Sequence, residues 1–293
     1  MTGRFAPSPT GTLHVGNLRT ALLAWLFARS AGSDFLVRME DLDAGRVRPG
    51  VAEEQLADLA AIGLDWDGDV VYQSARGELY AAALERLRAA GRVYECFCTR
   101  AEIREAASAP HGPLPEGAYP GTCLRLTDAE RAARRAAGRT PALRVRADGA
   151  RVAFTDRVLG HRVGVVDDFV VQRNDGAVAY NLAVVVDDAD QGIGEVVRGA
   201  DLVDSTPRQL FLAGLLGLAA PAYAHVPLVL GADGRRLAKR HGDVTLREVA
   251  PCDAVRWMAR SLGLPEASAA PELLSAFDPG RLPVGPTIFV GID

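Results

Sequence analysis

What this chain lacks narrows it first. Its 293 residues include four cysteines at uneven spacing. That is too few for the disulfide scaffold of a small secreted protein, so the expectation is a reducing, cytoplasmic setting. No apolar run approaches the ~20 residues a membrane span needs. The start, Met1-Thr2-Gly3-Arg4, runs straight into a strand-like segment without the pattern of a signal peptide. A membrane partner is therefore not expected. Strong charge of either sign is also missing: the formal net charge is −4, which argues against a wholesale nucleic-acid coat but leaves room for a local basic patch. Lysine is scarce and arginine abundant, and there are no internal repeats. What is present is ordinary globular composition, 48% hydrophobic and 24% charged, in a length that suits one large domain or two small ones.

The chain is organised around residues 4–20, Arg-Phe-Ala-Pro-Ser-Pro-Thr-Gly-Thr-Leu-His-Val-Gly-Asn-Leu-Arg-Thr. Residues 2–6 are extended in character. Pro7 and Pro9 exclude a helix and push Ala6 and Ser8 toward extended backbone. From His14 the period turns helical, with Val15, Leu18, Leu22, Trp25 and Leu26 near one face. A strand, a loop and a helix N-terminus in that order suit a phosphate, because free N–H groups and a partial positive charge point out of the helix. Gly11 and Gly16 let a nucleotide approach the backbone. His14 stands in the first turn, where it could donate to a phosphate oxygen.

Residues 34–39 read as a second buried strand ending in Glu40-Asp41-Leu42-Asp43. Carboxylates there sit where open α/β sheets bind ligands; Glu40 could hold a substrate ammonium, with Asp43 in support. Residues 50–62 predict a helix. Val70–Tyr72 predicts a short strand, and Ser74 is a plausible N-cap for a helix that ends at Gly91. This alternation predicts a parallel sheet.

A segment of different character follows. Cys96, Cys98 and Cys123 lie within 28 positions. Thiolates suit tetrahedral zinc, and a structural site wants four ligands. By general chemistry His111 is the obvious fourth and Tyr119 the less obvious one; reduced cysteines in a small core are the plainer alternative. Residues 124–151 are rich in arginine, including Arg125, Arg131, Arg134, Arg135, Arg139, Arg144 and Arg146. They are either an RNA-facing surface or a solvated polar helix. Further on, Asn174-Asp175-Gly176 predicts a hairpin. Asp187, Asp188 and Asp190 follow an apolar run; they could hold magnesium, with a simple helix end preferred for Asp190. Asp204-Ser205-Thr206-Pro207 marks a helix start, and residues 226–230 predict the last strand of the sheet. A basic loop, Arg235 to Gly242, then carries Lys239. Residues 244–262 predict a helix.

Taken together, Arg4 to Gly11, Leu13 to Asn17 and Arg19 to Leu22 resemble the glutamyl subgroup of the class I aminoacyl-tRNA synthetases. His14-Val15-Gly16-Asn17 stands where that class has its HIGH signature, with Asn17 in place of the last His. Tyr180 to Asp188 and Val197 to Leu202 are similar to two further motifs of the group. Residues 236–240 resemble its KMSKS loop, with Arg236 for the first Lys and Ala238 for the Ser. The resemblance implies an α/β fold: a Rossmann-like class I catalytic domain with a parallel sheet, a zinc-bearing insertion and a short helical C-terminal region, without an anticodon-binding domain. On that basis residues 1–92 and 151–243 are the two halves of the catalytic domain, 93–150 the insertion and 244–293 the C-terminal region.

The resemblance also implies roles. His14 and Lys239 are the expected catalytic residues, and His14, Gly16, Asn17 and Lys239 the ATP contacts. Arg4, Phe5, Ala6, Pro7, Ser8, Glu40, Tyr180 and Arg198 are expected to form the glutamate pocket, because arginine grips a carboxylate through parallel hydrogen bonds. Mg2+ is expected with ATP. Short members of the family carry Cys-x-Cys followed by Tyr-x-x-x-Cys, which implies one structural Zn2+ on Cys96, Cys98, Tyr119 and Cys123. The acceptor implied for that short branch is the queuosine base of tRNA(Asp), and a monomer is expected. A minimal glutamyl-tRNA synthetase acting on tRNA(Glu), an inactive tRNA-binding relative, and another HIGH-type nucleotidyltransferase are the alternatives.

Overall fold

The computed structural model describes residues 1–292 apart from 100, 104, 106–117, 236 and 238–243. His111, Arg236, Ala238 and Lys239 thus lie outside the described residues. The chain opens with β1 (Gly3–Phe5), α1 (Val15–Ser30), β2 (Phe35–Met39), α2 (Val51–Ala61), β3 (Val71–Tyr72) and α3 (Gly77–Ala89). The three strands pair in parallel in the order β1-β2-β3, with Gly3 opposite Phe35 and Phe5 opposite Val37. Gly3 is dictated by packing: a Cβ there would stand 3.0 Å from the Cβ of Ala28 on α1. Ser74 does not cap α3. It lies in a 3-10 turn, Gln73–Arg76, and its hydroxyl donates to Asp41 at 2.6 Å.

The insertion contributes β4 (Val93–Cys96), α4 (Asp128–Ala136) and β5 (Ala142–Val145). The second half adds β6 (Arg151–Asp156), β7 (Gly160–Val165), β8 (Val170–Gln172), α5 (Tyr180–Asp190), β9 (Glu195–Gly199), α6 (Thr206–Leu216) and β10 (Ala222–Val226). β8 joins the insertion in an antiparallel sheet, β4-β5-β8. The predicted hairpin after β8 closes through one bridge, Gln172 to Val178, before helix takes over at Tyr180. The main sheet continues as β7-β6-β10-β9, in which β6, β10 and β9 run parallel. Its two parts meet at Thr2, whose carbonyl accepts from the N–H groups of Gly194 and Glu195 at 2.9 and 3.2 Å. The last strand of this sheet is thus 222–226, not 226–230. Pro227 lacks an N–H for the ladder, and beyond it β11 (Val229–Leu230) pairs with β12 (Thr287–Ile288), following α7 (Pro251–Ser261).

α1 is buried on nearly every side, from Leu18 through Ala28 with the single exception of Thr20. One side packs on the sheet and the other on the C-terminal region, where Phe27 meets Phe277 with ring centroids 5.4 Å apart. A helix apolar all round belongs inside such a sandwich. Its one buried charge, Arg19, donates to the Pro227 carbonyl at 2.9 Å, to Ser261 Oγ at 2.8 Å and to Thr287 Oγ1 at 3.2 Å. Burial lowers its pKa to about 10. Arg19 therefore ties α1 to Pro227 ahead of β11, to the last residue of α7 and to β12.

Candidate active site

A cleft of about 1050 Å³ opens at the C-terminal ends of β1, β2 and β9, beside the N-terminus of α1. Ligands in open α/β sheets bind at that edge, where neighbouring connections diverge. Arg4, Phe5, Ala6, Pro7, Ser8, His14, Gly16, Asn17, Glu40, Tyr180 and Arg198 all line it. They come from segments nearly 200 residues apart, gathered by the meeting of β1, β2 and β9. Asp43 does not line it; its carboxylate faces Arg173 at 4.0 Å.

The His-x-Gly-Asn motif has a local cause. His14 is the N-cap of α1, and its Nδ1 accepts the Asn17 N–H at 3.2 Å. Asn17 Oδ1 accepts the His14 N–H in return at 3.3 Å. This is a capping box with an imidazole in the usual serine position. An accepting Nδ1 requires a neutral ring with its proton on Nε2. Gly16 makes room for the ring: a Cβ there would stand 3.0 Å from both Cε1 and Nδ1 of His14.

Beneath the cleft lies a charge network. Arg38 is fully buried and donates to Asp188 at 2.8 Å, to Gln191 at 2.8 Å and to Glu40 at 3.3 Å. Arg4 donates to Asp188 and to the Val197 carbonyl, both at 3.4 Å. Asp187 accepts from Arg76 at 2.6 Å, Gln73 at 2.7 Å and Tyr80 at 2.9 Å. Burial alone would raise the pKa of Asp188; Arg4 and Arg38 outweigh it and hold the carboxyl below its ordinary value. At Glu40 burial prevails over the same two arginines, and the pKa is raised. The aspartates considered for magnesium are thus taken up by arginines, and Asp190 ends α5 paired with Arg76 at 2.5 Å.

Arg198 is buried and held by neutral groups. Its Nε donates to His225 Nε2 at 3.0 Å, Nη1 to Gln209 at 2.8 Å, and Nη2 to Thr206 Oγ1 at 2.8 Å and the Leu202 carbonyl at 3.3 Å. Four of its five N–H groups are thereby engaged. Among the described residues Arg4 has two contacts, both long. The two arginines therefore differ in what they can offer a carboxylate. Tyr180 is 40% exposed on the cleft wall.

The cysteines form a second cluster. The Sγ atoms of Cys96, Cys98 and Cys123 lie within 4.8 Å of one another, and Cys98 and Cys123 are 3.4 Å apart. The Tyr119 hydroxyl is 3.4 Å from Cys96 Sγ and 3.7 Å from Cys98 Sγ. Ligands ~2.0–2.3 Å from a tetrahedral metal are separated by roughly 3.5–3.8 Å, so these edges fit an ion at the centre. The three cysteines could hold a metal.

The family model described as "tRNA synthetases class I (E and Q), catalytic domain" matches residues 1–261. The chain belongs to this family. A protein of Nocardia farcinica named glutamyl-Q tRNA(Asp) synthetase is 61% identical over 291 residues, covering 98% of this chain and 92% of that one. One of Symbiobacterium thermophilum with the same name is 52% identical over 306 residues, covering 98% and 95%. Among solved structures, a glutamate tRNA ligase from Elizabethkingia meningosepticum in complex with its amino acid superimposes with a TM-score of 0.83 at 26% identity. That match covers 99% of this chain and 67% of the ligase.

Several residues of this synthetase site had no local signal. Arg38 reads as one polar residue in a buried strand. Gln55 reads as a solvent position of α2, yet it is buried and its Nε2 donates to the carbonyls of Ser8 and Gly11 at 3.1 and 2.7 Å, holding the proline-rich loop. Arg46 and Arg48 line the cleft from the loop after β2. The arginines of 124–151 divide: those of α4 lie on a polar helix that buries no residue, the second of the two alternatives, and several pair with acids. Arg135 pairs with Glu95, Arg139 with Glu102 at 3.1 Å, and Arg146 with Asp148 at 2.9 Å. Arg144 is buried, its guanidinium 3.8 Å from the centroid of the Tyr119 ring. These four side chains brace the insertion. The long polar helix is α4 alone.

Proposed function

We propose that this synthetase activates L-glutamate with ATP and transfers the glutamyl group to the queuosine base of tRNA(Asp). The observation that carries the proposal is the single cleft, in which the cap of α1 and the Arg4, Glu40 and Arg198 side chains face one space. The relatives' shared name supplies the acceptor.

Glutamate brings two carboxylates and one ammonium. Glu40 receives the ammonium. Arg4, whose terminal nitrogens make one hydrogen bond among the described residues, is suited to a two-point grip; Arg198, with four N–H groups engaged there, contributes chiefly its charge. The bound α-carboxylate attacks the α-phosphorus of ATP in line, and pyrophosphate leaves. Little covalent help is needed; the site holds two anions together and stabilises the departing charge. His14 Nε2–H, the first turn of α1 and Lys239 supply that stabilisation. Mg2+ bound with ATP would neutralise phosphate charge. An acceptor hydroxyl then attacks the glutamyl carbonyl, and AMP leaves. Zinc on Cys96, Cys98, Tyr119 and Cys123 holds the insertion in shape, and we take the protein as a cytoplasmic monomer in the four segments outlined above.

The experiment is transfer of labelled glutamate, with ATP, onto tRNA(Asp) with and without queuosine and onto tRNA(Glu). Label on the queuosine form alone is the expected result. Label on tRNA(Glu) means a minimal glutamyl-tRNA synthetase, and glutamate-independent pyrophosphate exchange with no label on any RNA refutes the reading.

A further inference from the structure

Arg198 is aimed from behind by a pair of residues on two other strands. Asp156 ends β6 and His225 lies on β10, both essentially inaccessible to solvent. His225 Nδ1 meets Asp156 Oδ2 at 2.6 Å, and Asp156 also accepts the backbone N–H groups of Val158, Leu159 and His225 at 2.8–3.2 Å. A carboxylate so surrounded can only accept, so Nδ1 carries the proton and Nε2 carries the lone pair. That lone pair receives Nε–H of Arg198 at 3.0 Å. The Tyr223 ring stacks on His225 at 8° and lies 5.1 Å from the Arg198 guanidinium. Thr206 and Gln209, from the first turns of α6, hold the terminal nitrogens.

We propose that Asp156 and His225 are positioning residues for substrate carboxylate recognition: Asp156 selects the His225 tautomer that accepts from Arg198, which fixes the guanidinium in the cleft. This inference rests on the proposed role of Arg198 toward glutamate. It assigns a cause to the neutrality of the arginine's surroundings. A carboxylate in direct contact with Arg198 would neutralise it; the intervening imidazole orients the guanidinium and leaves its charge for an anionic ligand. Burial and the nearby Arg198 charge both keep His225 neutral, as the arrangement requires.

Two substitutions separate positioning from packing. His225→Phe keeps the ring volume and the stack on Tyr223 but removes the acceptor. His225→Gln sacrifices the ring but returns an oxygen near the Nε2 position. Glutamate-dependent ATP–pyrophosphate exchange is measured for both, with thermal unfolding as the control for folding. Positioning predicts that His225→Phe raises KM for glutamate at least tenfold with KM for ATP changed less than about twofold, and that His225→Gln restores most of the loss. Should His225→Phe not fold, Asp156→Asn is read instead; it leaves the tautomer unselected and is expected to raise KM for glutamate selectively. Equal changes in both KM values, or a His225→Gln variant as impaired for glutamate as His225→Phe, overturn the inference while the functional reading stands. A wild-type protein without glutamate-dependent exchange overturns the functional reading and this inference with it.

Discussion

Replacing Gly16 by alanine should uncouple stability from activity. Gly16 is the second residue of α1, and its added Cβ would meet His14 Cε1 and Nδ1 at 3.0 Å and Val229 Cβ at 3.3 Å. Two opposing effects act on stability. Alanine is favoured over glycine within a helix by up to ~1 kcal/mol, less in the first turn. Displacing the His14 ring loses the cap hydrogen bond, worth roughly 1 kcal/mol. These nearly cancel, so Tm should move by no more than about 2–4 °C. Activity has no such compensation. The ring must turn or shift by a few tenths of an ångström, and Nε2 moves with it. Misplacing one preorganised donor to developing charge costs on the order of 10²–10³ in rate. The assay is glutamate-dependent ATP–pyrophosphate exchange beside calorimetric unfolding. A Gly16→Ala protein that unfolds at the wild-type temperature and exchanges within about threefold of wild type would refute the account of Gly16 as the seat of His14.

Glu40→Gln should abolish glutamate-dependent exchange yet leave Tm at neutral pH unchanged or raised. Burial lifts the Glu40 pKa above 4.5, so its ionisation is harder in the folded chain than in the unfolded one. Its contribution to stability declines as pH rises from the ordinary carboxylate value through the lifted one, and stays low at neutral pH; a loss of Tm on removing the charge would contradict this. Metal analysis should find about one zinc per chain, absent from Cys98→Ser together with a fall in Tm; a metal-free wild type that is folded and active would dismiss the site. Lys239 is the chain's one lysine, so an amine-reactive reagent has two targets, Lys239 and the N-terminus. ATP with Mg2+ should protect Lys239 and not the N-terminus, and peptide mapping that shows equal labelling with and without ATP would remove Lys239 from the phosphate site.

What the sequence determined by itself is local. The prolines of 7–9 and the helical period from His14 specify a strand, a loop and a helix. The capping box needs only residues 14 and 17, three apart in the chain. The strand at Phe35–Met39 and the helices at Val51–Ala61 and Thr206–Leu216 carry their own patterns and boundaries. The motif residues around the cleft were legible because each stands in a short stretch that resembles a motif of the family, and the stretches follow one another in the family's order.

Tertiary structure decided which buried charges face each other. Arg38 meets Asp188 across 150 positions, and Asp156 meets His225 across 69. Neither pair has a spacing that marks it, since strand order in the sheet, not distance along the chain, sets the contact. The same holds for the arginines of the insertion. Arg144 and Arg146 are alike in sequence and two residues apart, but one is buried against Tyr119 and the other is half-exposed beside Asp148. Burial turns an identical side chain into a brace or a surface charge, and burial is a property of the packed layers alone. The division of labour between Arg4 and Arg198 has that origin as well: both are arginines at strand ends, and only their packed neighbours distinguish an arginine with donors to offer from one held in place by His225, Thr206 and Gln209.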